Sequence, residues 1–311
     1  MKTINELPST LMEAIKHFAD PMVCLDTVAM IKWPHGASCP RCASERLSFL
    51  QTRLMWKCLD CRKQFSVKVG TIFEDSPIGL DKWLAAMWML ANCKNGVSSY
   101  EVSRALDVTQ KTAWFMLQRI RHAMHHGTID KMTGEIEVDE TFIGGKARNM
   151  HKEKRESCIS GTGGKDKTAI MGFLERGGKV KATVVADRKK RTLQGLVKSR
   201  VKAGAALYTD ALASYDGLDG EFFHQVVDHA VEYVRGNVHT NGLENFWSLL
   251  KRALKGTYVS VEPFHLFRYL DEETFRYNER KANDSERFQQ VLGSVAGKRL
   301  TWNLLTCQEA G

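Results

Sequence analysis

Two pairs of cysteines have the types and spacing for chemistry: Cys39-Pro-Arg-Cys42 and Cys58-Leu-Asp-Cys61 are C-x2-C knuckles with fifteen residues between them. Each knuckle presents two thiolates from one tight turn, and two such turns suit a tetrahedral zinc ion. The spacer reads as two short strands, Leu47 to Gln51 and Leu54 to Lys57, so a zinc ribbon is expected. So short a segment lacks the apolar residues for a core of its own, which leaves the metal to hold it. Cys24, Cys93, Cys158 and Cys307 share no such spacing and are read as buried or incidental thiols.

The second group is acidic. Gly134 to Gly145 alternates as a strand, with Ile136, Val138, Glu140 and Phe142 on one side and Glu135, Glu137, Asp139 and Thr141 on the other. Ala205 to Asp210 is a short apolar run ending in an acid. After His239 a helix carries Leu243, Trp247, Leu250 and Leu254 along one face, which assigns Trp247 to the core. Glu244, Ser248, Lys251 and Lys255 form a polar stripe one residue on. Glu244 and Lys251 therefore project together, a carboxylate able to hold a metal beside a cation able to hold a phosphate. The residues alone leave the choice of acids open. Glu137 shares a face with Asp139, Glu140 points the other way, and Asp216 and Asp228 are also at hand. His239 is placed to orient a ligand, contact phosphate or cap the helix.

These groups need elements to position them. Trp83, Leu84, Met87, Leu90 and Ala91 fall on one helical face, and Trp83 to Cys93 is too short to span a bilayer. Ser98-Ser99-Tyr100-Glu101 has capping-box spacing and predicts a short helix burying Val102, Ala105 and Leu106. After a break near Asp107-Val108, a second helix capped by Thr109 buries Ala113, Met116, Leu117, Ile120 and Met124. Gln110, Lys111, Gln118, Arg119 and Arg121 are expected outward. Two helices joined by so short a turn read as a helix-turn-helix. Its second helix would offer Gln110, Lys111 and Thr112 to base edges, with Arg119 as a further DNA contact.

From about residue 133 the period becomes alternating. Strands at Thr168 to Glu175 and Lys179 to Ala186 are joined by Gly177-Gly178, and a helix follows from about Leu193 to Lys202. A last strand is expected at Gln225 to Asp228. This order predicts an α/β domain with a mixed sheet flanked by helices. The stretch from Lys146 to Lys167 holds seven Lys/Arg against three acids and is a candidate to track DNA. The divisions expected are 1–72 (N-terminal segment and ribbon), 76–130 (helix-turn-helix), 131–285 (catalytic domain) and 286–311 (tail). With 45 Lys+Arg against 36 Asp+Glu the chain carries a formal charge of +9, which favours an acidic polymer as partner. The N-terminus has no signal-peptide pattern. A reducing, cytoplasmic and nucleoid-associated location is expected, with no membrane partner.

Taken together, the ribbon, the helix-turn-helix, the V-D-E-T-F-I-G-G strand, the Y-T-D-A run and the H-T-N-G-L-E-N-F-W-S-L-L-K-R helix resemble, in this order, bacterial insertion-sequence transposases with an N-terminal zinc ribbon. The similarity spans roughly residues 20 to 285. The resemblance implies membership of the DDE superfamily, with an RNase H-like fold and three carboxylates using two Mg²⁺ ions, Mn²⁺ being a possible substitute. The carboxylates implied are Asp139, Asp210 and Glu244, with Lys251 seven positions after the Glu and Arg252 beside it as a DNA contact. Some relatives replace the third acid, which makes Asn241 a nearby alternative, but the position of Lys251 selects Glu244. The 33 residues between Asp210 and Glu244 match the usual separation. The implied activity is binding of terminal inverted repeats in double-stranded DNA, hydrolytic cleavage at the element's end, and attack of the released 3′-hydroxyl on target DNA. Pairing two ends implies a homodimer or higher oligomer. The rival readings are a regulator of the same ancestry that has lost catalysis, and a nuclease of the same fold.

Overall fold

The computed structural model describes residues 7–125, 130–144, 167–227 and 239–306. The chain forms two units, Met1–His125 with Lys281–Gly311, and His126–Arg280.

In the first unit, α1 (Leu11–His17) and α2 (Pro21–Lys32) start on the side-chain caps of Thr10 and Asp20. A three-stranded antiparallel sheet follows: β1 (Leu47–Leu50), β2 (Met55–Cys58) and β3 (Gln64–Phe65). The knuckle thiols Cys39 and Cys58 are buried with Phe65, and Trp33 and Trp56 pack around them. The ribbon thus has a small aromatic core after all, with Trp33 edge-on to Trp56 at 5.0 Å. Helix α3 (Leu80–Asn92) is buried along most of its length. Helix α4 (Ser99–Leu106) opens with the complete Ser98–Glu101 capping box and ends at Asp107 in the left-handed region. Helix α5 (Gln110–Met124) is capped by Thr109. Val102 is buried as expected, whereas Ala105 is exposed and Leu106 half-buried.

The second unit is built on β4 (Glu135–Ile143). It is followed by β5 (Thr168–Glu175), β6 (Val180–Val185), α6 (Lys190–Arg200), β7 (Ala206–Asp210), β8 (Phe223–Val227), α7 (Asn241–Ala253) and α8 (Leu266–Asn278). The five strands lie in the order β6-β5-β4-β7-β8. The first three are antiparallel, and β7 and β8 run parallel to β4. One face of the sheet packs Ile136, Val138 and Phe173 against Leu193 and Val197 of α6. The other packs Ile170 and Leu174 against Leu243, Phe246, Trp247 and Leu250 of α7 and Leu266 and Leu270 of α8. This is a mixed α/β, RNase H-like arrangement with helices on both faces.

Residues 281–306 rejoin the first unit. The expectation of a separate tail from 286 is corrected here. Helix α9 (Asp284–Gly293) begins on an Asn283–Glu286 capping box and buries Phe288, Val291 and Leu292. Phe288 lies 5.7 Å from Phe18 and 5.2 Å from Trp88 between ring centroids. An apolar face this complete is stable only when covered, and unit 1 covers it. A short α10 (Trp302–Thr306) ends the described chain. No described helix is long and apolar enough to cross a membrane. Gly145, most of the basic stretch after Lys146, Cys158, Asp228 and Cys307 lie outside the described residues.

Candidate functional site

The four knuckle sulfurs converge, all within 4.8 Å of one another. Cys39 and Cys61 are 3.6 Å apart through their sulfurs, as are Cys42 and Cys58. A tetrahedron with metal–sulfur bonds of about 2.3 Å has edges of about 3.8 Å, so the cluster fits zinc. The turns supply their own electrostatics. The Cys61 N–H points at the Cys58 sulfur at 3.5 Å, and this backbone donor lowers the Cys58 thiol from its ordinary value. Of the other cysteines, Cys24 is buried, and burial pushes its thiol up to about 12. Cys93 is half-buried.

The acid cluster forms where two parallel strands part. β4 pairs with β7 only from Glu135 to Glu137, opposite Ala206 to Tyr208. Continuing that register would place Asp139 opposite Asp210, but the ladder has ended by then. Carboxylate oxygens of Asp139, Glu140 and Asp210 lie within 4.8 Å of one another there. Glu140 corrects the sequence reading, which turned it to the opposite face. Past Glu137 no described strand pairs with β4 on this side, so neighbouring side chains both reach towards Asp210. Burial first, and then the charge of Asp210, raise Asp139 to about 6 against its hydrogen bond from Trp247. Burial and the charges of Asp210 and Asp139 raise Glu140 to about 8. Glu140 Oε1 is buried without a hydrogen-bond partner among the described residues. Clustered hard oxygens, raised by mutual repulsion and with an acceptor left over, fit a divalent cation such as Mg²⁺.

Glu244 stands outside this tight group. It is exposed in the first turn of α7, although its charge contributes to the upward shift of Asp139. Asn241 is the first residue of the same helix and is exposed. Lys251 is half-buried two turns beyond Glu244, and Arg252 is exposed. Glu137 is part of the scaffold: it is buried, accepts the Leu243 N–H at 3.0 Å and pairs with Arg176 at 3.0 Å. His239 faces the same acid, with Nδ1 3.4 Å from Glu137 Oε1. Sequence reasoning missed Glu140, whose alternation pointed away. It also missed Arg188, whose guanidinium lies 4.7 Å over Phe142 and whose charge opposes the rise of Glu140. Nothing in the spacing around Arg188 could have found it.

On α5 only the first turn is available. Lys111 is exposed, with its ammonium 4.7 Å over the Trp302 ring. Gln110 Nε2 donates to Ser99 Oγ at 2.8 Å, and the Thr112 N–H is bound by the Thr109 cap. Arg119 does not face solvent as expected. It is 5% exposed and donates to the carbonyls of Ile72 and Glu74 at 2.9 and 2.7 Å. Gln118 and Arg121 are buried as well. The apolar faces of α5 are wide enough to take these polar residues into the unit, so the outward stripe ends after one turn.

Two family models match stretches of this chain. Residues 131–278 match the ISXO2-like transposase domain, and residues 22–64 match the transposase zinc-ribbon domain. A protein of transposable element ISH50 from Halobacterium salinarum is 28% identical over 256 residues, covering 78% of this chain and 86% of that protein. A transposase-like protein from Haemophilus influenzae is 34% identical over 120 residues, covering 38% of this chain and 97% of that protein. No solved structure matches the chain.

Proposed function

This chain belongs to the DDE-type insertion-sequence transposases with an ISXO2-like transposase domain, and from that premise we propose that it binds the terminal inverted repeats of its element and cuts and joins DNA there. The observation that carries the catalytic part is the convergence of the Asp139, Glu140 and Asp210 carboxylates at the parting of β4 and β7. Asp139 and Asp210 offer oxygens to bound Mg²⁺, or Mn²⁺ in its place, and Glu244 completes the donor set from α7. Two such cations supply charge stabilisation for both the attacking and the leaving oxygen of a phosphodiester. Lys251 holds a non-bridging phosphate oxygen beside Glu244, and Arg252 contacts the backbone further along the strand. The reaction is hydrolysis at the transposon end, followed by attack of the freed 3′-hydroxyl on a target phosphodiester.

The ribbon, with zinc on Cys39, Cys42, Cys58 and Cys61, and the first turn of α5 provide recognition. Lys111 is the exposed cation there, and Gln110 and Thr112 flank it. The buried Arg119 drops out of this role. Two ends must be processed together, so the working species is a dimer or larger.

The test is incubation of the purified chain with labelled DNA bearing the element's ends, with and without Mg²⁺, for wild type and Asp210→Asn. Metal-dependent nicking at the end and joining to a second duplex, both lost in the variant, are expected. Specific end binding without strand breakage would replace this reading with a regulator. Cutting without joining would replace it with a nuclease.

A further inference from the structure

Helix α7 carries Glu244 and Lys251, and it is held to the sheet by the two acids that alternate on its side of β4. Glu137 Oε2 accepts the Leu243 N–H in the first turn of α7, where Thr240 supplies no side-chain cap. One turn later the Trp247 indole N–H donates to Asp139 Oδ2 at 2.9 Å. The spacings match: two strand residues advance about 6.7 Å and four helix residues about 6.0 Å. Successive turns of α7 therefore meet successive acids of β4. The approach is close because Gly172, the cross-strand partner of Asp139, has no side chain. A Cβ there would lie 2.6 Å from the Trp247 ring and 2.9 Å from Leu243.

The one polar atom of this buried ring is aimed at a carboxylate of the acid cluster. The other oxygen of Asp139 accepts the Glu140 N–H at 2.8 Å. With a donor on each oxygen the plane of this carboxylate is fixed, and each oxygen keeps lone-pair capacity for a cation.

We propose that Trp247 is a positioning residue of the site: its indole N–H fixes the Asp139 carboxylate in the orientation that takes a divalent cation, and the same bond sets the register of the helix bearing Glu244. This rests on the transposase reading above. Donors that orient a metal-binding side chain are worth about 10- to 100-fold in metal affinity.

The experiment is Mn²⁺ titration of the full chain followed by electron paramagnetic resonance. It compares wild type, Asp210→Asn, Trp247→Phe and Leu243→Ala, with thermal melting of each metal-free protein. Trp247→Phe keeps most of the ring and removes the N–H. It should weaken Mn²⁺ binding about 10-fold, and cleavage lost at low metal should return at high metal. Leu243→Ala loosens the same helix–sheet contact but keeps the indole, so it should lower the melting temperature while holding Mn²⁺ affinity near wild type. Gly172→Ala, which keeps the indole but displaces it, serves as the second variant and should weaken Mn²⁺ as Trp247→Phe does. Unchanged Mn²⁺ affinity in Trp247→Phe and Gly172→Ala, or an equal loss in Leu243→Ala, would overturn the positioning role. In either case the transposase reading survives if wild type binds Mn²⁺ and Asp210→Asn does not. Absence of Mn²⁺ binding in wild type would overturn both.

Discussion

The thiol cluster and the acid cluster bring ligands together by opposite routes. The cysteines come from two tight turns of one small sheet, and the second turn also supplies a backbone N–H, from Cys61, that favours the Cys58 thiolate. The carboxylates come from strands separated by a hairpin and a helix, and they meet only because the β4–β7 ladder stops at Glu137. One site is closed and saturated by its four ligands. The other offers three carboxylates raised by burial and by one another, with one oxygen of Glu140 still lacking a partner among the described residues. The thiol cluster is thus written in local spacing, whereas the acid cluster depends on where tertiary pairing ends.

The largest expected effect separates the two sites outright. Asp210→Asn should reduce end cleavage by about 1,000-fold or more, since it removes a charged ligand from the centre of the acid group. Zinc content measured by elemental analysis should stay at one per chain and end binding should hold. A matching loss of zinc or of binding would mean the sites are not independent. The converse variant, Cys58→Ala, should release zinc and unfold the ribbon, because its small aromatic core of Trp33, Trp56 and Phe65 is too slight to stand alone. End affinity by gel shift should then fall about 10- to 100-fold, with Mn²⁺ binding at the acids unchanged.

The same contrast governs what could be read beforehand. The ribbon strands, the caps of α4 and α5, the hairpin of β5 and β6 and the apolar stripe of α7 follow from period and local capping, and all are found. Asp139 and Asp210 were reached through motif resemblance, and the structure sets them together. Glu140 was misplaced because strand alternation is a rule for paired strands, and its segment has lost its partner on one side. Arg119 was misplaced because a helical wheel shows which side is apolar without showing how much of the rest is covered. The burial of α9 was also unreadable, since its partners Phe18 and Trp88 are remote in sequence.

A smaller change sharpens the acid side of the comparison. Glu140→Gln keeps the shape of the group and removes one charge, so Mn²⁺ affinity should fall about 10-fold while the metal-free protein melts at a higher temperature near pH 8. The gain follows from the burial first, and then the repulsion, that raise both Asp139 and Glu140. A lower melting temperature would mean that Glu140 holds the fold and does not strain it.

The smallest effect is a dependence on pH. Both acids have folded values above their ordinary ones, about 6 for Asp139 and about 8 for Glu140. The metal-free fold therefore retains protons that the unfolded chain has already released. The stability these groups contribute is full below the ordinary carboxylate range and is lost as pH rises through about 8. A cation requires the deprotonated forms, so its affinity must run the other way. Because burial and the neighbouring charges raise both acids, binding should displace a bound proton near neutrality, and Mn²⁺ affinity should rise as pH goes from 6 towards 8. It should level off above pH 8. Calorimetry in buffers of different ionisation enthalpy counts that proton directly. Zinc content of the ribbon should stay constant across the same range, because four thiolates in a closed site hold their metal far more tightly than an open group of carboxylates. A flat Mn²⁺ profile would show that the acids are already ionised, and the contrast between the four-thiol site and a strained acid site would fall with it.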